Sequence, residues 1–284
     1  MNTTKQVPVV ILNGFLGSGK TTLFRSLLAQ SKRKNIPICA IVNDMSELDV
    51  DGELLGNTTL VEDDASILKS ISSCVLSSVM GIKKLDEAIE NLLQNQNPEL
   101  IVIETSGSCH PMPLIEYFKG HNQVKLTGML VLVDSFMLKH DFNYGKGLIP
   151  EMRKNMSQGK RDTVNLLVEQ ILFCSHLFIT KADKIEKDKL PDIATYAQEL
   201  NPSASVHSVL FGKLTIESLF ELEEYNYSNV SQLIGELKPI LELEKNADSP
   251  YDITTRVIRD DRPFHPQRLW DVCHQFLDKR IYRS

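Results

Sequence analysis

The stretch Gly14-Phe15-Leu16-Gly17-Ser18-Gly19-Lys20-Thr21 restricts this chain more than any other, because it reads G-x-x-x-x-G-K-T. In front of it lies Val7-Pro8-Val9-Val10-Ile11-Leu12-Asn13, an apolar, β-branched run of strand length. Behind it, Leu23, Leu27 and Leu28 fall on one helical face. A strand, a glycine loop and a helix in that order predict a phosphate cradle. The glycines let the backbone curl round the anion, while the loop amides and the positive end of the helix dipole face it. In such a loop the lysine reaches the β- and γ-phosphates and the Thr21 hydroxyl ligates Mg²⁺. Gly14, Gly17, Ser18, Gly19, Lys20, Thr21 and Thr22 are therefore the candidate nucleotide contacts, with Lys20 also the candidate catalytic cation. A glycine-rich turn that merely starts a helix is the bland alternative, but both flanking elements fit the phosphate loop. The expected ligand is a nucleoside triphosphate.

Composition narrows the rest. A chain of 284 residues can bury a full core and carry an appendage. Its formal net charge of −6 and pI near 5.7 give no basic footprint for nucleic acid. No apolar run approaches the length of a membrane span. The amino terminus passes Lys5 and goes straight into a strand, so no signal peptide is expected. Five cysteines (Cys39, Cys74, Cys109, Cys174 and Cys273) are scattered and odd in number, which argues against a disulfide framework and for a reducing cytoplasm.

Ile36 to Asn43 reads as a second buried strand, followed by an acidic loop from Asp44 to Gly52. Residues 53–81 resist assignment, with Thr58 to Val61 a candidate short strand. Ile82 to Leu93 is an amphipathic helix. Leu100 to Ile103 and Leu126 to Val133 are buried strands, the second ending at Asp134. Residues 138–162 are polar and carry Gly145, Gly147, Pro150 and Gly159, so they read as a mobile insertion. A helix from Thr163 to Phe173, a strand from His176 to Ile179, a charged helix from Ile185 to Leu200 and a strand from Ala204 to Val209 follow. Leu214 to Leu243 reads as helical segments. The alternation predicts an α/β P-loop NTPase fold, a mainly parallel sheet covered by helices on both faces. Residues 1–220 would form that domain and 221–250 a helical connection and linker. Residues 251–284 would form a short, truncated-looking α/β appendage, with a strand from Asp252 to Arg259 and a helix from Pro266 to Leu277.

Ligands of such sheets bind beyond the carboxyl ends of the strands, and three further motifs lie there. Glu104-Thr105-Ser106-Gly107 offers a carboxylate that can hold Mg²⁺ through water and a Gly107 amide for the γ-phosphate. Thr180-Lys181-Ala182-Asp183 offers a carboxylate for the N1 and N2 donors of guanine, with the Lys181 stem packed on the base. An aspartate that only caps a helix competes with that reading on local sequence. In the acidic loop, Asp44 or Glu47 can position water or bind a second metal, or the loop is simply solvated.

Taken together, these motifs resemble the CobW-type GTPases, a metallochaperone family of P-loop proteins. The matching pieces are the phosphate loop through Thr22, Val42-Asn43-Asp44 with Glu47 and Asp51-Gly52, Glu104 to Gly107, Val133-Asp134-Ser135-Phe136, and Thr180 to Asp183. Asn201 to Ala204 with Gly212, and Arg262 to Trp270, are similar to later stretches of the family. The resemblance implies GTP binding, slow Mg²⁺-dependent hydrolysis with Glu47 and Glu104 as further catalytic groups, and delivery of zinc or cobalt to a client metalloenzyme.

The departures are specific. The family's Cys-x-Cys-Cys cargo motif corresponds to Cys74-Val75-Leu76-Ser77, so one thiolate of three remains. Leucine cannot ligate and serine is a poor ligand for a borderline ion, which excludes a tight three-thiolate site. Asp44 stands where glutamate is usual, His110 precedes Pro111 where aspartate is usual, and no His-rich tract is present. Cys74, Cys109 and His110 with Asp44 or Glu47 would suffice for zinc if they converged. The competing reading makes both cysteines small packing residues and His110 an ordinary loop histidine. Two other functions stay open: a regulatory GTP switch that has lost its metal cargo, and an ATP-dependent P-loop enzyme.

Overall fold

The computed structural model describes residues 6–44, 67–72, 74–208, 214–244, 262–263 and 265–276. Its first half runs β1 (Val7–Asn13), α1 (Lys20–Lys34), β2 (Ile38–Asp44), β3 (Leu68–Ser72), α2 (Val79–Asn95), β4 (Leu100–Glu104), α3 (Pro111–Lys119) and β5 (Val124–Asp134). Then come α4 (Ser135–Phe142), α5 (Leu148–Ser157), α6 (Thr163–Phe173), β6 (His176–Thr180), α7 (Leu190–Leu200) and β7 (Ser205–Ser208). The chain closes with α8 (Ile216–Phe220), α9 (Ser231–Glu244) and α10 (Pro266–Phe276).

β1 is apolar on both faces, and that decides its place. Val9 and Ile11 join the core on one side of the sheet, while Val10 and Leu12 join the core on the other. A strand covered twice belongs at the centre of a parallel sheet. β1 pairs in parallel with β4 on one side and β5 on the other, in a seven-stranded sheet of order β3-β2-β4-β1-β5-β6-β7. The remaining pairings are parallel as well.

Leu23, Phe24 and Leu27 of α1, with Ile216 and Leu219 of α8, cover one face. Leu85 and Ile89 of α2, Leu114 and Ile115 of α3, Leu167 and Ile171 of α6, and Ile193 of α7 cover the other. Each buried Leu, Ile or Phe side chain contributes about 1.5–3 kcal/mol relative to exposure, so these two layers hold the sheet in place. The expected α/β architecture, with helices on both faces, is what forms.

Two expectations change. Residues 138–157 are largely helical rather than a loose insertion: they hold the end of α4, a 3-10 turn at Asn143–Gly145 and α5. Leu138 and Leu148 are buried in the core, and buried Asn155 donates to Asn165 Oδ1 on α6 at 3.2 Å. Residues 53–81, left unassigned, contain β3 and the start of α2. Ser78 caps α2 by accepting from the Gly81 amide at 3.0 Å, so the helix begins three residues before Ile82. The candidate strands at Thr58 to Val61 and Asp252 to Arg259 lie outside the described residues. Among the described residues, no helix is long and apolar enough to cross a membrane.

Candidate nucleotide site

The site lies beyond the carboxyl ends of β1, β2, β4, β5 and β6. β1 stops at Asn13, whose Oδ1 accepts from the Gly14 amide and whose Nδ2 reaches the Cys109 carbonyl at 3.3 Å. Gly14 sits at φ 138°, and a Cβ there would fall 2.3 Å from the Leu132 carbonyl oxygen on β5, so only glycine fits. α1 starts from Gly19, which brings no side chain to the amides of the first turn. Those amides and the helix dipole make an anion site.

Lys20 is 7% exposed, and its ammonium donates to the carbonyls of Gly14 at 2.7 Å and Phe15 at 3.0 Å. Its charge is thereby held over the loop. Thr21 Oγ1 donates to Glu104 Oε1 at 2.6 Å, joining the top of α1 to the end of β4. Both are the residues expected to hold Mg²⁺, and the structure brings them together. A hard oxygen pair on a rigid helix and strand suits that ion, which keeps several waters and takes one or two protein ligands.

The loop after Glu104 is fastened from several sides. Thr105 donates from both its amide and its hydroxyl to the Leu12 carbonyl. The Ser106 amide donates to Asn43 Oδ1 at 3.4 Å. Gly107 approaches the phosphate loop so closely that a Cβ would lie 2.7 Å from the Leu16 amide nitrogen and 2.6 Å from its side chain. Gln170 Nε2 on α6 donates to the carbonyls of Gly107 and Cys109, at 3.3 and 3.2 Å.

Asn43, at the end of β2, is a four-bond hub with 3% exposure. It donates to the carbonyls of Ile71 and Cys74 at 2.9 and 2.8 Å, and accepts from the amides of Leu76 and Ser106. It thereby locks the turn carrying Cys74 against the loop carrying Gly107. Asp44 ends β2, and Glu47 lies outside the described residues.

On the base side, Thr180 is a staple between loops. Its hydroxyl donates to the Ser18 carbonyl of the phosphate loop at 2.8 Å. Lys181 adopts the left-handed region at φ 55°, a conformation that costs a lysine about 1 kcal/mol. Its ammonium pairs with Asp134 Oδ2 at 2.5 Å, while Asp134 Oδ1 caps α4 by accepting from Phe136 and Met137. Asp183 lies in the 3-10 turn Ala182–Lys184 and pairs with Lys184 at 3.8 Å. The N-cap positions of that turn and of α7 are Lys181 and Lys189, so Asp183 is not at the N-cap of either.

Two of the candidate transition-metal donors, His110 and Cys109, have other partners. His110 caps α3: its Nδ1 accepts from the Met112 amide at 3.1 Å, which leaves the ring proton on Nε2 to donate to Glu169 Oε2 at 3.0 Å. One Arg161 guanidinium nitrogen donates to both oxygens of that carboxylate. Cys109 is fully buried, and burial pushes its thiol up to about 12, against smaller opposing effects of hydrogen bonding with Ser77 and the charge of Lys20. A protonated, buried thiol is a poor ligand. Cys74 is partly exposed, Leu76 is fully buried, and the Ser77 hydroxyl accepts from the His110 amide at 3.2 Å. Among the described residues, no group of three or more His, Cys, Asp or Glu side chains could hold a metal ion.

Asn13, Asn43, Asp134, Glu169 and Gln170 carry much of this site without having been assigned roles from sequence. One signal was available for two of them. Glu169 and Gln170 sit within a largely apolar helix, and both are almost fully buried. Polar groups in such a place need partners.

A family model described as the CobW/HypB/UreG nucleotide-binding domain matches residues 8–208. A zinc-regulated GTPase metalloprotein activator 1 from Dictyostelium discoideum is 25% identical over 95% of this chain and 60% of its own. A zinc chaperone CobW from a Sinorhizobium species is 35% identical over 46% of this chain and 37% of its own. The chain thus spans about three-fifths and two-fifths of the lengths of those two relatives. The crystal structure of zinc-bound YjiA GTPase from E. coli superposes with a TM-score of 0.48 and 19% identity, covering 84% of this chain and 78% of that one.

Proposed function

The chain belongs to the CobW/HypB/UreG family of nucleotide-binding domains, and on that premise we propose that it binds GTP with Mg²⁺, hydrolyses it slowly and uses the cycle to act on a partner protein in metal homeostasis. The observation that carries the reading is the meeting of the Thr21 hydroxyl and the Glu104 carboxylate at 2.6 Å, one residue from Lys20. Mg²⁺, when bound, neutralises charge on the transferring phosphoryl group.

Lys20 would place its ammonium on the β- and γ-phosphates, exchanging the Gly14 and Phe15 carbonyls for phosphate oxygens. The amides of the loop and of the first turn of α1 would cradle the same oxygens. Glu104 and Thr21 would orient the cation side, and the Gly107 amide would meet the γ-phosphate. Asp183 would accept from the two guanine donors, with the Lys181 stem held along the base by the Asp134 pair. Catalysis here is positioning and electrostatics, with no covalent step on the protein. Phosphate release from GTP should therefore be slow, abolished by chelation of Mg²⁺, and reduced about a hundredfold by Glu104→Gln, roughly the cost of one misplaced charge-stabilising group. Release that is unaffected by chelation, or equally fast with ATP, would overturn the reading.

A second reading, a GTP switch without a thiolate cargo site, is favoured by one cluster. Leu76 is buried core and Ser77 is spent on the His110 amide, so two of the three cargo positions serve packing and loop attachment. Titration of the purified protein with zinc, with and without a non-hydrolysable GTP analogue, separates the two readings. Weak binding, indifferent to nucleotide and to Cys74→Ala, is the outcome expected of the switch. Stoichiometric binding that weakens in that variant would restore the chaperone reading for this chain.

A further inference from the structure

We propose that Gln170 is a positioning residue for the γ-phosphate: its side-chain amide fixes the carbonyl side of residues 107–109 and so governs affinity for the triphosphate over the diphosphate. The inference rests on the GTP reading above and extends it to a residue outside every nucleotide motif.

Gln170 is fully buried on α6, and its single amide nitrogen is shared between the Gly107 and Cys109 carbonyls, at 3.3 and 3.2 Å. Its Oε1 is buried with no hydrogen-bond partner among the described residues. A residue needed only to fill that space would be leucine or methionine, since burying an unmatched amide oxygen costs about 1–3 kcal/mol. The cost is accepted at a position whose only polar product is the grip on this loop. Such local conflicts concentrate at functional sites.

What is gripped matters. Gly107 has no side chain to restrict its backbone, and it lies against the Leu16 amide in the phosphate loop. Without a tether, rotation about Gly107 would swing its amide away from the γ-phosphate position. Gln170 takes its carbonyl, the same amide nitrogen takes Cys109, and the preceding residue, Glu169, takes the His110 ring. Asn13 adds a second donor to the Cys109 carbonyl. The loop is therefore held from α6 at Gly107, Cys109 and His110. α6 also leads directly into β6, whose end carries Thr180 and Asp183. The helix that restrains the γ-phosphate loop is continuous with the strand that presents the base loop.

The diphosphate has no group at the γ position, so weakening this tether should leave it indifferent. Gln170→Met keeps length and burial and removes both donors. In the full chain, titrated with fluorescent GDP and with a fluorescent non-hydrolysable GTP analogue, the variant should lose about tenfold in analogue affinity, the worth of roughly one hydrogen bond, and less than twofold for GDP. Gln170→Asn, whose amide is one methylene short, should do the same and serves if the methionine variant fails to fold. Equal losses for both nucleotides, or no loss in a folded variant of unchanged melting temperature, would reduce Gln170 to a packing residue. A wild-type protein that binds neither guanine nucleotide would instead overturn the GTP reading itself.

Discussion

Lys20→Ala is expected to weaken triphosphate binding at least about a hundredfold while leaving the protein folded. The side chain is 7% exposed and its ammonium is held over the loop by two carbonyls, so no other described cation is placed to replace it at the phosphates. Loss of one preorganised charge in a water-poor site costs about 2.7–4 kcal/mol, which is a hundredfold or more. The fold should tolerate the change. The Phe15 carbonyl keeps its bond from the Ser18 amide at 3.2 Å, and the lysine carries no part of the two apolar layers. Nucleotide titration and thermal melting on the same sample check both halves. Retained tight binding in a folded variant would remove the phosphate-loop assignment.

Asp183→Asn should exchange specificity rather than abolish binding. A carboxylate accepts from both N1 and N2 of guanine, whereas an amide presents one donor and one acceptor and matches xanthine better. A site built around paired hydrogen bonds rejects the wrong partner strongly, so the ratio of GTP to XTP affinity should fall by about a thousandfold. The supports make this a local change. Lys181 is tied to Asp134 and Thr180 to the Ser18 carbonyl, and neither bond involves Asp183. Competition between GTP, XTP and ATP reads the result. Unchanged GTP affinity would end the guanine assignment, and ATP preference in the wild type would favour an ATP-dependent enzyme.

The parts of this molecule that could be read from sequence are those whose cause is local. β1, β4 and the second half of β5 carry apolar runs, Val7–Leu12, Leu100–Ile103 and Met129–Val133, and the spacing of glycines before Lys20 announces both a turn and a helix. β3 escaped because only Ile71 of its five residues is buried, so neither alternation nor a continuous run marks it. Residues 138–162 were misread because α4 and α5 have eight and ten residues, too few turns for a helical period to stand out around Gly145 and Gly147. The functional supports were hidden for another reason. Gln170 meets Gly107 across 63 positions and Asn43 meets Ser106 across the same separation, and helical or strand periodicity says nothing about such partners. His110 shows the converse: its chemistry suggests a ligand, while the fold uses one nitrogen as a helix cap and the other on a buried carboxylate.

The central position of β1 has a bearing on how the chain assembles. Its first neighbour, β4, starts at Leu100, and its second, β5, ends at Asp134. The strand that delivers the phosphate loop therefore waits, apolar on both faces, until Leu100 to Asp134 have been synthesised. Closing such distant pairings is entropically slow, and parallel sheets built from them nucleate late. During that interval Val7–Asn13 is an unpaired apolar segment of the kind that draws chaperones or aggregation. The phosphate loop therefore gains its supporting strands only through pairings distant in sequence.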